Sequence, residues 1–169
     1  VAVRAGVDSI EHGLFLSRTD LATLAARGGV WVPTVVAMEG VLEMLGAESS
    51  GGRLIREGLD NVEGLLAELP DEVTVLAGTD LATDPGGVAT EVEALVACGL
   101  APDRAVDAAS VSVRRYLGRV DPFQPGSPAD AWLPTSLARL GLPVLAVDVR
   151  AAGECDPCGS EPPASMRTD

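Results

Sequence analysis

Apolar positions along this chain switch repeatedly between the two-residue period of a strand and the three-to-four-residue period of a helix. Residues Val7 to Glu11 form a short strand-like run. Ser17 then stands three residues before Asp20, the spacing of a helix N-terminal capping box. Leu21, Leu24 and Ala25 follow at helical spacing, and Gly28-Gly29 predicts the stop. "VWVPTV", residues 30 to 35, reads as a buried strand ending near Pro33. Met38, Val41, Leu42 and Leu45 recur at i, i+3, i+4 and i+7, which predicts a helix. After "ESSGG" a second helix is predicted from Ile55, Leu59, Val62, Leu66 and Leu69, as far as Pro70.

"VTVLAGTD", residues 73 to 80, predicts a third strand, opened by Gly78. A loop through Pro85, Gly86 and Gly87 leads to a helix carrying Val88, Val92, Leu95 and Val96, ended by Gly99. Pro102 suits the first turn of another helix. Its stripe of Val106, Ala109, Val113 and Leu117 predicts one continuous helix to Gly118, with Arg114 and Arg115 on the solvated face. Beyond it the chain becomes turn-rich, with strands expected near Ala129–Leu133 and Pro143–Val149. From Gly153 onward the polar, proline-rich tail is expected to be disordered.

Strands separated by helices run parallel, because each crossover returns the chain in the same direction. The order β-α-β-α-α-β-α-α, followed by β-β, therefore predicts an α/β unit. Three parallel strands alone leave both outer edges bare. No internal repeat is visible. The chain begins with Val1 and opens almost directly into the first strand-like run, which reads as a fragment or a processed chain.

Composition narrows the function classes. The chain has 169 residues, 47% of them hydrophobic, enough to bury a core. Its 25 acids outnumber 12 bases, all arginine, for a formal charge of −13. Such a chain repels phosphate backbones and anionic membranes, so neither nucleic acid nor a lipid surface is an expected partner. No apolar run reaches the ~20 residues of a membrane span, and no secretory signal is visible. A cytoplasmic location is expected. Cys98 lies in an apolar helical run and is expected to be a small core residue. Cys155 and Cys158 look like half of a zinc ribbon or a redox pair, but no second pair completes four ligands and they lie in a Gly/Pro/Ser-rich tail, so a thiol pair without function is expected.

Two strands end in residues able to hold a metal or a proton: His12, the only histidine, and Asp80. Imidazole and carboxylate both ligate zinc-class ions. Taken singly the signals are weak. A lone histidine is more often a hydrogen-bonded structural residue, and an aspartate after a strand is more often a cap. Glu11 alternates with His12 and is expected to face the helices. Thr34, after Pro33, is a candidate for lining a substrate pocket, whereas Thr79 is expected to support its loop.

The words around these residues carry more. "AGVDSIEHG", "VPT" and "LAGTDLA", at these intervals, resemble the last three barrel strands of the amidohydrolase superfamily. The nearest likeness is to its imidazolonepropionase-like and prolidase-like members. The likeness continues through "EVEALVACGLAPDRAVDAASVSVRRYLG" and "PGSPADAWL", and covers roughly residues 3 to 150.

The resemblance implies strands six to eight of a TIM-like (β/α)8 barrel in residues 1–118. It implies part of a small flanking β-sandwich in 119–152, leaving 153–169 as tail. It implies a metal-dependent hydrolase of C–N bonds in amide or dipeptide-like small molecules, with a divalent ion, zinc foremost. His12 matches the histidine ending strand six, a metal ligand or substrate contact. Asp80 matches the aspartate ending strand eight, which binds metal and shuttles the proton. The family's His-x-His pair, its strand-five histidine and the carboxylated lysine of many members have no counterpart in a chain with one histidine and no lysine. The isolated chain is therefore expected to be inactive. The alternative is a non-catalytic remnant that pairs with another polypeptide. A homo-oligomer is compatible with either.

Overall fold

The computed structural model describes residues 2–80 and 87–119. A turn of helix, α1 (Ala2–Ala5), precedes strand β1 (Ser9–Glu11). Helix α2 (Arg18–Ala25) returns the chain to β2 (Val30–Val32). Helices α3 (Val35–Leu45) and α4 (Ser50–Ala67) lead to β3 (Thr74–Val75). Then come α5 (Val88–Ala97), α6 (Pro102–Ala108) and α7 (Val111–Tyr116). The three strands form one parallel sheet in the order β1-β2-β3, as the alternation of elements requires. Among the described residues, β1 and β3 have no outer partner strand. The expected strands near 129–133 and 143–149, the Cys155–Cys158 pair and the tail lie outside the described residues. None of the described helices is long and apolar enough to cross a membrane.

Local chemistry explains the boundaries. Ser17 accepts from the Asp20 amide, and Asp20 accepts from the Ser17 amide, so the capping box forms. The Ser17 hydroxyl, and after it the Ser17 amide, donates to the Asp20 carboxyl and holds it below its ordinary pKa. Strand β2 stops where Pro33 has no N–H to offer the ladder. The single helix expected from Pro102 to Gly118 is instead two. The Ala77 amide, just past β3, donates to the Ala108 carbonyl at 3.1 Å. An uninterrupted helix would give that carbonyl to residue 112. The Ser110 hydroxyl also takes the Val106 carbonyl at 2.7 Å, competing with the helical ladder. The sheet end thus breaks the helix, and Leu117, expected on the buried stripe, is exposed.

The register pairs Ile10 with Trp31, and Trp31 with Val75. This face carries the main core: Leu21 and Leu24 of α2, Val62 and Leu66 of α4, and Val92 and Leu95 of α5 pack there. The opposite face holds Val30, Val32 and Leu76, with Val113 of α7 against them. Glu11 pairs with Val32 and so lies on this second face. That corrects the expectation that it faces the helices: the strand reaches the core through Ile10, and alternation sends Glu11 the other way. Cys98 is half-buried against the main core, and burial pushes its thiol pKa to about 11.

Two leucines of α4 test this packing. Leu66 is 2% exposed and Leu54 53%. Leu66→Ala is expected to lower the unfolding free energy by about 2–5 kcal/mol. Leu54→Ala is expected to stay within roughly 0.5 kcal/mol of the parent. Urea melts of the two variants check the difference, and equal losses would contradict the burial pattern.

Candidate functional site

Parallel strands bring their C-terminal ends to one side of the sheet, and that is where His12, Thr34 and Asp80 stand. His12 directly follows β1, Thr34 lies two residues past β2, and Asp80 five past β3. All three have left-handed backbone, with φ of 59°, 51° and 45°. They are the only non-glycine residues with positive φ among those described. For threonine, which is β-branched, this is a true outlier. Such conformations cost about 1–3 kcal/mol each and gather at sites where function needs a side chain aimed in an uncommon direction.

The backbone of His12 is held on both sides. Its amide donates to the Val32 carbonyl at 2.8 Å. Its carbonyl accepts from the buried Trp31 indole N–H at 3.0 Å. Gly13, with φ 63°, is required next: a Cβ there would lie 2.8 Å from the Trp31 indole nitrogen.

The ring is held as firmly. His12 Nδ1 lies 2.6 Å from Thr34 Oγ1. The Thr34 hydroxyl donates its single hydrogen to the Pro33 carbonyl at 2.7 Å. With both contacts satisfied the hydroxyl accepts from the ring, which assigns the proton to Nδ1. The neutral ring then carries its lone pair on Nε2, and Nε2 faces Asp80 Oδ2 at 3.9 Å. That interval is too long for a hydrogen bond, so the two groups face one another without consuming each other. Both side chains reach solvent, His12 at 41% and Asp80 at 57% exposure.

Sequence reasoning missed Glu91. It lies in the first turn of α5, fully buried, among core residues. Its Oε1 accepts from the Val35 amide at 2.8 Å and its Oε2 from the Val36 amide at 3.0 Å. These are the first amides of α3, which have no partner within their own helix. Thr34 cannot cap them, because its hydroxyl serves Pro33 and His12. Burial raises the Glu91 pKa, and the two amide bonds offset this only in part. A signal was present: Glu91 sits three residues after Val88 and four before Leu95, on the apolar stripe itself.

Among the described residues, no group of three or more His, Cys, Asp or Glu side chains is placed to hold a metal ion. His12 and Asp80 supply two donors. The Cys155–Cys158 pair falls outside the described residues.

No family model matches the chain. Proteins of Mycobacterium bovis and Mycobacterium tuberculosis, named only as uncharacterized proteins, are 32% identical to it over 123 residues. The match takes in 69% of this chain and 33% of each relative. The chain thus spans about a third of the length of the curated relatives it matches. Among solved structures, a Xaa-Pro dipeptidase with methionine bound in its active site superposes with a TM-score of 0.60. Its identity is 24%, over 76% of this chain and 34% of the dipeptidase chain. The likeness establishes a shared α/β fold with a hydrolase.

One histidine in the whole chain makes the ring chemistry directly readable. Nitrogen-15 spectra of the neutral ring are expected to show the proton on Nδ1. Thr34→Val removes the acceptor and is expected to move population to the Nε2–H form. A wild-type ring protonated on Nε2 would contradict the hydrogen-bond assignment.

Proposed function

We propose that this chain is the C-terminal part of a metal-dependent amidohydrolase acting on C–N bonds in small amide or dipeptide-like substrates. One observation carries the reading. Three adjacent parallel strands end in left-handed residues that set an imidazole lone pair and a carboxylate facing each other at 3.9 Å. The fold shared with a Xaa-Pro dipeptidase supports it. In this reading β1, β2 and β3 are strands six to eight of a (β/α)8 barrel, whose working residues lie at strand C-terminal ends.

The donor set suits a divalent ion. His12 Nε2 and Asp80 Oδ2 are the groups of this chain that would hold it. His12 presents the unprotonated nitrogen that ligation demands. Catalytic zinc sites keep three protein ligands, so further ligands come from strands outside this chain. Such an ion supplies polarisation of the scissile carbonyl and acidification of water. Asp80 takes the proton of the attacking water and returns it to the departing nitrogen, a transfer its second oxygen is free to make. Thr34 orients His12 from behind. The substrate contact expected of it would fall to the one hydroxyl lone pair that these two bonds leave over.

Among the described residues β1 and β3 have no outer partner, which favours a second reading, in which the chain pairs with another polypeptide that supplies further strands. A stable, monodisperse monomer counts against that reading.

Hydrolysis assays separate the outcomes. The purified 169-residue chain is expected to turn over no amide or dipeptide substrate with added zinc. A longer protein containing this segment is expected to be active. There, Asp80→Asn is expected to lower kcat by about 10²–10⁴-fold, the usual worth of a positioned proton-transfer group. Undiminished turnover in that variant, or zinc-dependent turnover by the short chain alone, overturns the proposal.

A further inference from the structure

The least expected group in the molecule is the Glu91 carboxylate. It is fully buried, and among the described residues its partners are two backbone amides and no side-chain cation. Burying a carboxylate costs several kcal/mol unless its oxygens are well bonded. Nothing in the core demands an acid there: Val92 and Leu95 of the same helix fill their share with hydrocarbon. What the acid does is local. Its two oxygens take the two amides that immediately follow Thr34.

Thr34 is the residue whose backbone most needs holding. Its left-handed conformation opposes the preference of a β-branched side chain. From that conformation its hydroxyl reaches both the Pro33 carbonyl and the His12 ring. A relaxation of Thr34 toward ordinary helical or extended backbone would carry the hydroxyl away from Nδ1. The ring would then be free to place its proton on Nε2, the nitrogen that faces Asp80. The remaining contact on this side is steric. Gly78 leaves room beside Val32 and Thr34, where a Cβ would come within 2.5 Å of Val32 Cγ1.

We propose that Glu91 is a positioning residue for His12: by clamping the Val35 and Val36 amides it holds Thr34 in the conformation that fixes the His12 tautomer. The path runs from α5, through the first turn of α3, to the end of β1. It links residues 91, 34 and 12 without any contact between Glu91 and the imidazole. The functional weight of this clamp rests on the hydrolase reading of the site, but the clamp itself does not.

The test uses the 169-residue chain, with no metal and no substrate. Nitrogen-15 spectra of the neutral His12 ring are compared in wild type, Glu91→Gln and Arg104→Met. Glutamine keeps the size but offers an N–H₂ where one backbone amide needs an acceptor. Arg104→Met is the structural control, because Arg104 ties the carbonyls of Leu69, Pro70 and Val73 before β3, away from the ring. In Glu91→Gln the Nδ1–H to Nε2–H ratio is expected to fall at least about fivefold, the ratio that one hydrogen bond of average worth maintains. In Arg104→Met it is expected to stay at the wild-type value. An unchanged ratio in folded Glu91→Gln, or an equal fall in the control, overturns the positioning role. Wild-type hydrogen exchange keeps the question open to decision if Glu91→Gln fails to fold. Val35 and Val36 amides must exchange only as slowly as the core, and exchange at the rate of an exposed helix end overturns the clamp. Absence of hydrolysis in the longer protein, with the tautomer shift in place, would count against the hydrolase reading and not against this one.

Discussion

The indole of Trp31 is the joint on which the three strands meet. It lies on the central strand and is fully buried. Its N–H holds the His12 carbonyl, which fixes the end of β1. The Trp31 backbone carbonyl accepts from the Leu76 amide at 2.9 Å, which fixes the end of β3. Its ring forms the floor of the core that α2, α4 and α5 cover. Large aromatic rings supply much of a small core's hydrophobic gain. Here the polar edge of the ring also fixes the backbone at the site. Packing and geometry meet at one residue, so neither can relax without the other.

That joint makes the unusual backbone at the strand ends tolerable. Residues in sparsely populated conformations persist only where surrounding contacts over-determine them. His12 is held at its amide, its carbonyl and its ring. Thr34 is held through its hydroxyl and through the two amides that follow it. The restraints come from β2, from α5 and from the Trp31 ring, which are distant in sequence. The site is thus a property of the packed layers and not of any one loop.

This division explains what could be read from the residues alone. Helices α2 to α5 were legible because each shows an apolar stripe, and α2 even displays its Ser17–Asp20 cap, whereas the single turn of α1 gave no signal. Parallel strands followed from the order of elements. The broken helix after Pro102 was not legible. Its cause, a sheet amide seeking the Ala108 carbonyl, is a tertiary bond with no local signature. His12 and Asp80 stood out chemically, yet their approach across 67 intervening positions follows from the order of the parallel strands. Glu91 was hidden because a single acid on an apolar stripe looks like a pattern error until its acceptors are needed elsewhere. The left-handed turns at His12, Thr34 and Asp80 had no signal either, since none of the three is a glycine.

The close approach at Gly78 has a consequence for how this region can vary among descendants of the same gene. A methyl at position 78 would collide with Val32 at 2.5 Å, while meeting the Thr34 methyl at an ordinary contact distance of 3.6 Å. Alanine there becomes acceptable only once position 32 has shrunk. Positions 32 and 78 therefore form one inherited unit. Their substitutions should arrive in a fixed order, with the smaller residue at 32 appearing before any side chain at 78.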